Sequence, residues 1–302
     1  MPFILKKIKA IKDKKLSLFL LQDLKINHRN TQRYAARGRI FDESMKTIKS
    51  SDKIPSEFIY MAVFEGCTRG LKPLIEFDEF AIFDKPTHLM VHPISKNTKY
   101  SLLDEIRYHF GENANLIHRI DAETSGLVIV GKNKKSEKTL KDMFEEKKYH
   151  KSYLAVVEGY IKNEVTIDSK LEKEGLNIGV RMKAGNNGKE SCTIIKPIKY
   201  NKNNDTTLIE AIPLTGRQHQ IRVHLYSIGH RIIGDPIYGV DDETSENYLN
   251  KTLDKNLREE ITGSHRLWLH ANYLEFTFKD ITYKIKSKNS DIFNFFNKQV
   301  EQ

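Results

Sequence analysis

The chain has 302 residues, of which 39% are hydrophobic and 30% charged, and its net charge is +10. That length is enough for one large domain and a small one with a substantial buried core. No stretch approaches the roughly 18 apolar residues of a membrane span, no secretory signal is recognisable, and two distant cysteines indicate neither a disulfide framework nor a zinc site. We therefore expect a soluble, cytoplasmic protein.

The positive charge is concentrated at the start of the chain. Residues 1–60 hold 14 Lys/Arg and 6 Asp/Glu, so 14 minus 6 gives +8, and 10 minus 8 leaves +2 for the remaining residues. A short basic module beside a nearly neutral body is typical of proteins that bind polyanions such as nucleic acids. A lysine-rich surface without a binding role is the alternative, since lysine is abundant throughout the chain.

The basic module, residues 1–65, has a helical pattern followed by short strands. Apolar residues with helical spacing predict a first helix: Leu16, Phe19, Leu20 and Leu24. Asn30 is placed to cap a second helix over 31–37, and Gly38 ends it. Strands are predicted over 39–41 and 57–64.

Four arginines, Arg29, Arg33, Arg37 and Arg39, cluster near the ends of the predicted helices. Two helices, short strands and this cluster resemble an S4-type RNA-binding domain, which implies that these arginines bind RNA. The chain departs from that family at residues 41–44, where a Val-Asn-Gly-like hairpin is usual, and at Ser56-Glu57, where Gly-Asp is usual. The alternative is a small basic helical cap on the main domain.

After a predicted linker over residues 66–76, the pattern becomes mainly β with interspersed helices. Strands are predicted over 77–83, 127–131, 149–157 and 207–212, and helices over 135–147, 217–228 and 292–300. The polar residues 241–262 are interpreted as a surface insertion. We therefore expect an α+β domain over 77–302, with a mixed, mainly antiparallel sheet and peripheral helices, beside the small N-terminal α/β module.

The segment 118–127, HRIDAETSGL, leads polar residues directly into an apolar strand. Polar side chains at a strand end are placed to line a cleft. Taken alone, Arg119 and Asp121 would more often form a weak surface ion pair. Glu123 alternates with Asp121 in an extended chain, so the two carboxylates are not expected to share a site.

This segment resembles the catalytic motif H-R-L-D-x-x-T-S-G-L of the RluA-type pseudouridine synthases of the Rsu/Rlu superfamily, with Ile120 in place of Leu. Further family motifs follow in the family's order: Asp84-Lys85-Pro86 with Val91-His92-Pro93, residues 151–159 (KSYLAVVEG), residues 215–224 (TGRQHQIRVH), residues 234–239 (GDPIYG) and His270-Ala271. The chain has Thr87-His88 where the family usually has a glycine, so His88 is expected to adopt a positive φ or the turn to differ.

The resemblance implies an isomerase that converts uridine in structured RNA to pseudouridine. It implies that Asp121 acts at C1′ or C2′ of a flipped-out uridine, that Arg222 is its ion-pair partner, and that Tyr153 stacks on the uracil and assists loss of the C5 proton. Arg119 is expected to occupy the space that the base vacates. Arg217 and His219 are expected to contact phosphate or to support the site.

The reaction is redox-neutral, so we expect no cofactor. The spacing of His219, His224 and His230 does not match a helical metal site, and we expect no metal. Large-subunit (23S-type) ribosomal RNA is the expected partner, and transfer RNA is a second possibility. We expect a monomer with no membrane association and no obligate protein partner. The alternatives are a noncatalytic RNA-binding or ribosome-assembly factor on the same fold, and a glycosidase that uses Asp121 and Glu123.

Overall fold

The computed structural model describes residues 3–93, 98–175 and 178–298. Its N-terminal part contains a three-stranded antiparallel sheet in the order β1-β3-β2, packed against short helices. These elements are β1 (Phe3–Lys9), α1 (Leu16–Leu18), a π-helical segment (Phe19–Asp23), α2 (His28–Ala36), β2 (Ile40–Phe41) and β3 (Phe58–Phe64). Strand β1 was not predicted, because Lys6, Lys7 and Lys9 make it resemble a solvent-exposed segment.

The predicted helical residues of this module form its core. Leu16, Phe19 and Leu20 are buried, which confirms the helical interpretation of their spacing. The predicted cap at Asn30 is wrong by one turn: the side chain of Asn27 caps α2 and accepts a hydrogen bond of 2.9 Å from the Asn30 amide. Gly38 follows α2 with φ +58°, as a terminating glycine should.

The remaining strands, in chain order, are β4 (Ile75–Glu76), β5 (Phe80–Lys85), β6 (Asn115–Leu116), β7 (Ser125–Gly131), β8 (Tyr149–Glu158), β9 (Val165–Asp168), β10 (Leu171–Lys173), β11 (Met182–Ala184), β12 (Cys192–Asn201), β13 (Thr206–Pro213), β14 (Leu269–Phe278) and β15 (Ile281–Lys286). The remaining helices are α3 (Leu102–Phe110), α4 (Lys134–Glu145), α5 (Gln220–Ser227), α6 (Asp242–Asn250), α7 (Lys255–Thr262) and α8 (Asp291–Lys298).

Ten of these strands form one mixed sheet in the order β4-β5-β7-β14-β8-β13-β12-β9, with β15 paired to β14 and β6 to β7. Strands β7 and β14 are parallel, and the other pairs are antiparallel. The predicted α+β class with a mainly antiparallel mixed sheet is therefore confirmed. The last two residues of the predicted linker, Ile75 and Glu76, belong to this sheet.

Strand β7 is apolar because both of its faces are covered. Val128 and Val130 join the core that includes residues of α3 and α5, whereas Leu127 and Ile129 join the core beneath α4. This alternation with a period of two follows from the pleat of a strand. At the start of β7, Gly126 has φ +109°, and a Cβ there would lie 2.3 Å from the backbone oxygen of Ala271. Glycine is therefore required where β7 pairs with β14.

Residues 241–262 were interpreted as a surface insertion, and this is wrong in one respect. They contain α6 and α7, whose inner sides are packed into the protein: Ser245, Arg258 and Thr262 are all buried. Hydropathy does not reveal such packing because the inward-facing groups are polar. Of the helix predicted over 292–300, residues 299 and 300 lie outside the described residues, and the rest belongs to α8. Among the described helices, none is long and apolar enough to cross a bilayer.

Candidate active site

A cleft of about 740 Å³ opens at the loop that precedes β7. Its lining is formed by that loop, by alternate residues of β8 and by the segment that leads into α5. The cleft brings together residues that the sequence keeps far apart: Arg119, Asp121, Lys151, Tyr153, Arg217, His219 and Arg222. Apart from Lys151, these are the six residues of this domain that were predicted to be catalytic or to bind substrate. The structure therefore brings all six to one cavity.

Asp121 and Arg222 form an ion pair in the lining of this cleft. The Nη1 atom of Arg222 lies 3.3 Å from Oδ2 of Asp121, and it donates a hydrogen bond to it. The Asp121 side chain retains 30% exposure toward the cleft, while that of Arg222 retains 3%. A carboxylate that is open to the cleft on one side and paired with a buried cation on the other is held in place and is accessible to a ligand.

The other edge of the Arg222 guanidinium is held by Asp235. Nε and Nη2 of Arg222 each donate a hydrogen bond of 2.7 Å to the Asp235 carboxylate, which also accepts from the amides of Ile237 and Tyr238. Burial alone would raise the pKa of Asp235, but Arg222 outweighs it and the pKa is lowered. This bidentate pair fixes the plane of Arg222. Asp235 was given no role from the sequence, although the GDPIYG match contained it.

Tyr153 lies in the middle of β8 and is 7% exposed. Its pKa is raised above that of an ordinary tyrosine, first by burial and then by the negative charge of Asp121 and by Tyr149. The phenol is therefore neutral at physiological pH. Its ring forms part of the cleft wall beside Asp121, where it presents an aromatic surface to a ligand.

His219 precedes α5 in a left-handed conformation, with φ 54°. Its Nδ1 lies 2.9 Å from the Tyr238 hydroxyl and its Nε2 lies 3.8 Å from Oδ2 of Asp121. Burial and the charge of Arg222 lower the pKa of His219 to about 4, so the imidazole is neutral near pH 7. A neutral ring with these contacts supports the neighbouring side chains and does not present a cation to phosphate.

The two predicted rim arginines, Arg119 and Arg217, are exposed at the cleft. Nε of Arg217 donates to the backbone oxygen of Glu190 at 3.1 Å, which leaves most of its guanidinium available to solvent. Both side chains contribute positive charge to the lining of the cleft that contains Asp121.

Glu123 points away from Asp121, as the alternation predicts. Its buried carboxylate accepts hydrogen bonds from Nη2 of Arg258 at 2.8 Å and from the Tyr248 hydroxyl at 2.9 Å, and it lies 2.8 Å from Nδ1 of His88. Burial opposes ionisation of Glu123, but the bonds from His88 and Arg258 outweigh it and lower its pKa. Arg258 and Tyr248 were not predicted, because the segment that carries them looked like a surface insertion.

Two further residues hold the loops around Asp121. His88 has φ +59°, as expected where the family has glycine. Lys85 is fully buried and donates to the backbone oxygens of Pro86, Leu89 and Ala122 at 2.8, 2.8 and 2.9 Å. Burial lowers the pKa of Lys85 to about 7, with opposition from Glu123 and Asp121. Lys85 therefore connects the turn after β5 with the loop that carries Asp121.

The arginines of the N-terminal module lie apart from this cleft. Arg29 and Arg37 are exposed, and Arg33 and Arg39 are half-buried. Burial and the charges of Arg37, Arg33 and Arg107 of α3 lower the pKa of Arg39, so these cations are neighbours. Within the described ranges, no group of three or more His, Cys, Asp or Glu side chains is arranged to bind a metal ion.

Residues 79–227 match the family model described as "RNA pseudouridylate synthase". The chain is 37% identical to an "Uncharacterized RNA pseudouridine synthase" of Helicobacter pylori strain J99, over 95% of this chain and 96% of that protein. It is 34% identical to "Ribosomal large subunit pseudouridine synthase D" of Nitrosomonas europaea, over 68% of this chain and 58% of that protein. "Human RNA Pseudouridylate Synthase Domain Containing 1" has a similar fold, with a TM-score of 0.59 and 24% identity over 76% of this chain and 87% of that chain.

Proposed function

Because the chain belongs to the RNA pseudouridine synthase family and is an RNA pseudouridine synthase, we propose that Asp121 is the carboxylate that acts on the ribose of its target uridine. The observation that carries this proposal is the arrangement of Asp121, which is open to the cleft on one side and paired with the buried Arg222 on the other. Because this family consists of RNA pseudouridine synthases, we no longer consider a noncatalytic RNA-binding factor or a glycosidase.

The reaction breaks the N1–C1′ bond of uridine, turns the base and joins C5 to C1′. Asp121 acts in one of two ways: its carboxylate attacks C1′ to form an ester, or it removes the C2′ proton and leaves a glycal. A carboxylate suits an oxocarbenium-like C1′ in either case. The ion pair with Arg222 holds the Asp121 carboxylate in place and leaves its other side open to the ribose.

The remaining cleft residues have roles that fit a flipped-out base. The buried ring of Tyr153 provides a stacking surface for the uracil, and its neutral phenol assists loss of the C5 proton. Arg119 is exposed and long enough to occupy the gap left in the RNA. Arg217 binds phosphate at the opposite rim. His219, which is neutral, supports Asp121 and Tyr238.

The substrate that we propose is large-subunit ribosomal RNA, with transfer RNA as the second candidate. Support comes from relatives such as the large-subunit pseudouridine synthase D of Nitrosomonas europaea, which matches 68% of this chain. We also propose that residues 1–65 form an S4-like RNA-binding domain, joined through residues 66–76 to the catalytic domain 77–302. The cluster of Arg29, Arg33, Arg37 and Arg39 is the part of that module that we propose contacts the RNA backbone.

The test is pseudouridine mapping of total RNA from cells with the gene, without it, and with an Asp121→Ala copy. We expect at least one uridine to be converted only in cells with the intact gene, and its position names the RNA. The variant should still bind this RNA with an affinity close to that of the wild-type protein. Normal conversion by the Asp121→Ala protein would overturn the role of Asp121.

A further inference from the structure

Lys151 is a cleft residue to which the proposed mechanism gives no role. It lies two residues before Tyr153 on β8, and alternate residues of a strand share a face, so Tyr149, Lys151 and Tyr153 all line the same wall. Its Nζ atom lies 5.3 Å from the centroid of the Tyr149 ring and 5.9 Å from that of the Tyr153 ring. The ammonium group is therefore beside the surface on which the uracil is proposed to stack.

Among the described residues, Lys151 has no direct ion-pair partner, which distinguishes it from Arg222. No carboxylate in the described part of the chain forms an ion pair with Lys151, and its ammonium group lies beside the rings of Tyr149 and Tyr153. Burial lowers the pKa of Lys151 to about 8, with no opposing carboxylate, yet the amine is still mostly protonated at pH 7. Its charge also contributes, after burial, to lowering the pKa of His118 to about 3. A half-buried cation without a partner is placed to receive an anion.

The charges in the cleft indicate which anion Lys151 would receive. Before the reaction, Asp121 and Asp235 share one Arg222, so these three groups have a net charge of −1, which Lys151 balances. When the N1–C1′ bond breaks, its electron pair stays on the uracil. If Asp121 attacks C1′ it becomes a neutral ester, and if it accepts the C2′ proton it becomes a neutral acid. In either case the negative charge has moved from Asp121 to the base.

We propose that Lys151 is a further catalytic residue, whose ammonium group stabilises the negative charge on the departing uracil. The inference rests on the proposed role of Asp121. The base then turns, C5 joins C1′, the bond to Asp121 breaks or the C2′ proton returns, the C5 proton leaves and N1 gains a proton. Lys151 transfers no proton in this sequence. A preorganised cation that meets charge as it develops lowers the barrier more than it strengthens substrate binding.

The experiment compares single-turnover rates with saturating protein and dissociation constants, using the RNA fragment that carries the uridine located by mapping. We expect Lys151→Met to lower the rate about 100-fold and to change the dissociation constant by less than about 3-fold. Lys151→Arg should retain the rate within about 10-fold. The matched control is Lys148→Met, because Lys148 is 72% exposed and pairs with Glu146 on the surface; its rate should equal that of the wild type.

The pH dependence gives a readout that a purely structural role would not change. The titratable groups around Lys151 are Tyr149 and Tyr153 on β8, whose pKa values are raised, and His118, whose pKa is far below neutrality. The wild-type rate should therefore fall above about pH 8, where Lys151 loses its proton. The Lys151→Arg protein should keep its rate to higher pH, because guanidinium stays charged.

Three outcomes overturn the inference: a normal rate for a folded Lys151→Met protein, a loss confined to the dissociation constant, or the same alkaline limb in the Lys151→Arg protein. A loss confined to binding would identify Lys151 as a contact to the RNA backbone. Asp121→Asn is measured in parallel. If it is inactive while Lys151→Met is normal, only this inference fails, whereas an active Asp121→Asn protein rejects the proposed mechanism on which it rests.

Discussion

Arg222 and Asp235 form a buried bidentate pair with two contacts of 2.7 Å, and this pair determines how Arg222 meets the more exposed Asp121 at 3.3 Å. The shorter contacts of Arg222 are thus those with Asp235, which does not line the cleft. Asp235 therefore acts on the site through Arg222, as a positioning residue.

Replacing Asp235 with Asn should impair both stability and activity. The variant leaves the buried Arg222 charge paired only with Asp121, and breaking a buried ion pair costs about 3 to 5 kcal/mol. We expect a loss of that order in denaturant unfolding and a fall in the single-turnover rate of about 10- to 100-fold. Arg222→Lys should also reduce the rate, since an ammonium group cannot bridge two carboxylates in one plane.

Asp242→Asn is the matched control, because Asp242 pairs with Arg181 at the surface and is 52% exposed. Its cost should stay below about 1 kcal/mol. If Asp235→Asn were as mild as this control, the buried pair would have no special role in the site.

Glu123 should make the protein sensitive to acid. Its pKa is lowered in the folded state, so its contribution to stability is complete above its unfolded pKa of about 4.3 and is lost as the pH falls toward the folded pKa. The wild type should therefore lose unfolding free energy steeply between about pH 4 and pH 2, and Glu123→Gln should show a shallower acid limb. Equal slopes for the two proteins would contradict this assignment.

The buried ion pair of Glu123 and Arg258 can be tested by a double-mutant cycle. Glu123→Gln and Arg258→Met should each destabilise the protein by about 3 kcal/mol, because each leaves an uncompensated buried charge. Removing both should cost less than the sum of the two, since no lone charge remains. The measurement is urea unfolding of the four proteins, and additive costs would show that Glu123 and Arg258 are not coupled.

His88 combines a strained backbone with a useful side chain. A left-handed conformation costs a residue other than glycine about 1 to 2 kcal/mol, and the bond from Nδ1 to Glu123 offsets this cost. We expect His88→Ala to lose the bond and keep the strain, and His88→Gly to lose both. The glycine variant should consequently be the more stable of the two by about 1 kcal/mol in thermal unfolding. The reverse order would exclude strain at this turn.

Neutralising the four arginines of the N-terminal module to glutamine should weaken RNA binding and lower the salt dependence of the binding constant. Each lost phosphate contact reduces the slope by about 0.7 to 0.9, so the full set should reduce it by about 3. The measurement is RNA affinity at several salt concentrations, with a melting curve to show that the variant is folded. An unchanged slope in a folded variant would reject the module as the RNA contact.

Local patterns in the sequence were sufficient for the elements that have one clear period. The apolar run of β7, the strands β8 and β13 and the termination of α2 at Gly38 were all predicted, because each depends on neighbours a few residues away. The start of α2 was predicted wrongly because Asn27 and Asn30 are both suitable helix-capping residues, and the sequence does not show which of them caps the helix. Strand β1 and the buried sides of α6 and α7 were missed because charged and polar residues dominate them.

The sequence by itself therefore determined the family, the class of fold and the polar loop that presents Asp121 at a strand end. Which groups surround that carboxylate was decided by the tertiary structure. Arg222 lies 101 residues from Asp121 in the chain, and Asp235, Arg258 and Lys151 reach their positions only because β7, β14, β8 and β13 are neighbours in one sheet. Their burial and their pairing, which set the pKa values of the cleft, are properties of that long-range packing and leave no periodic signal in the chain.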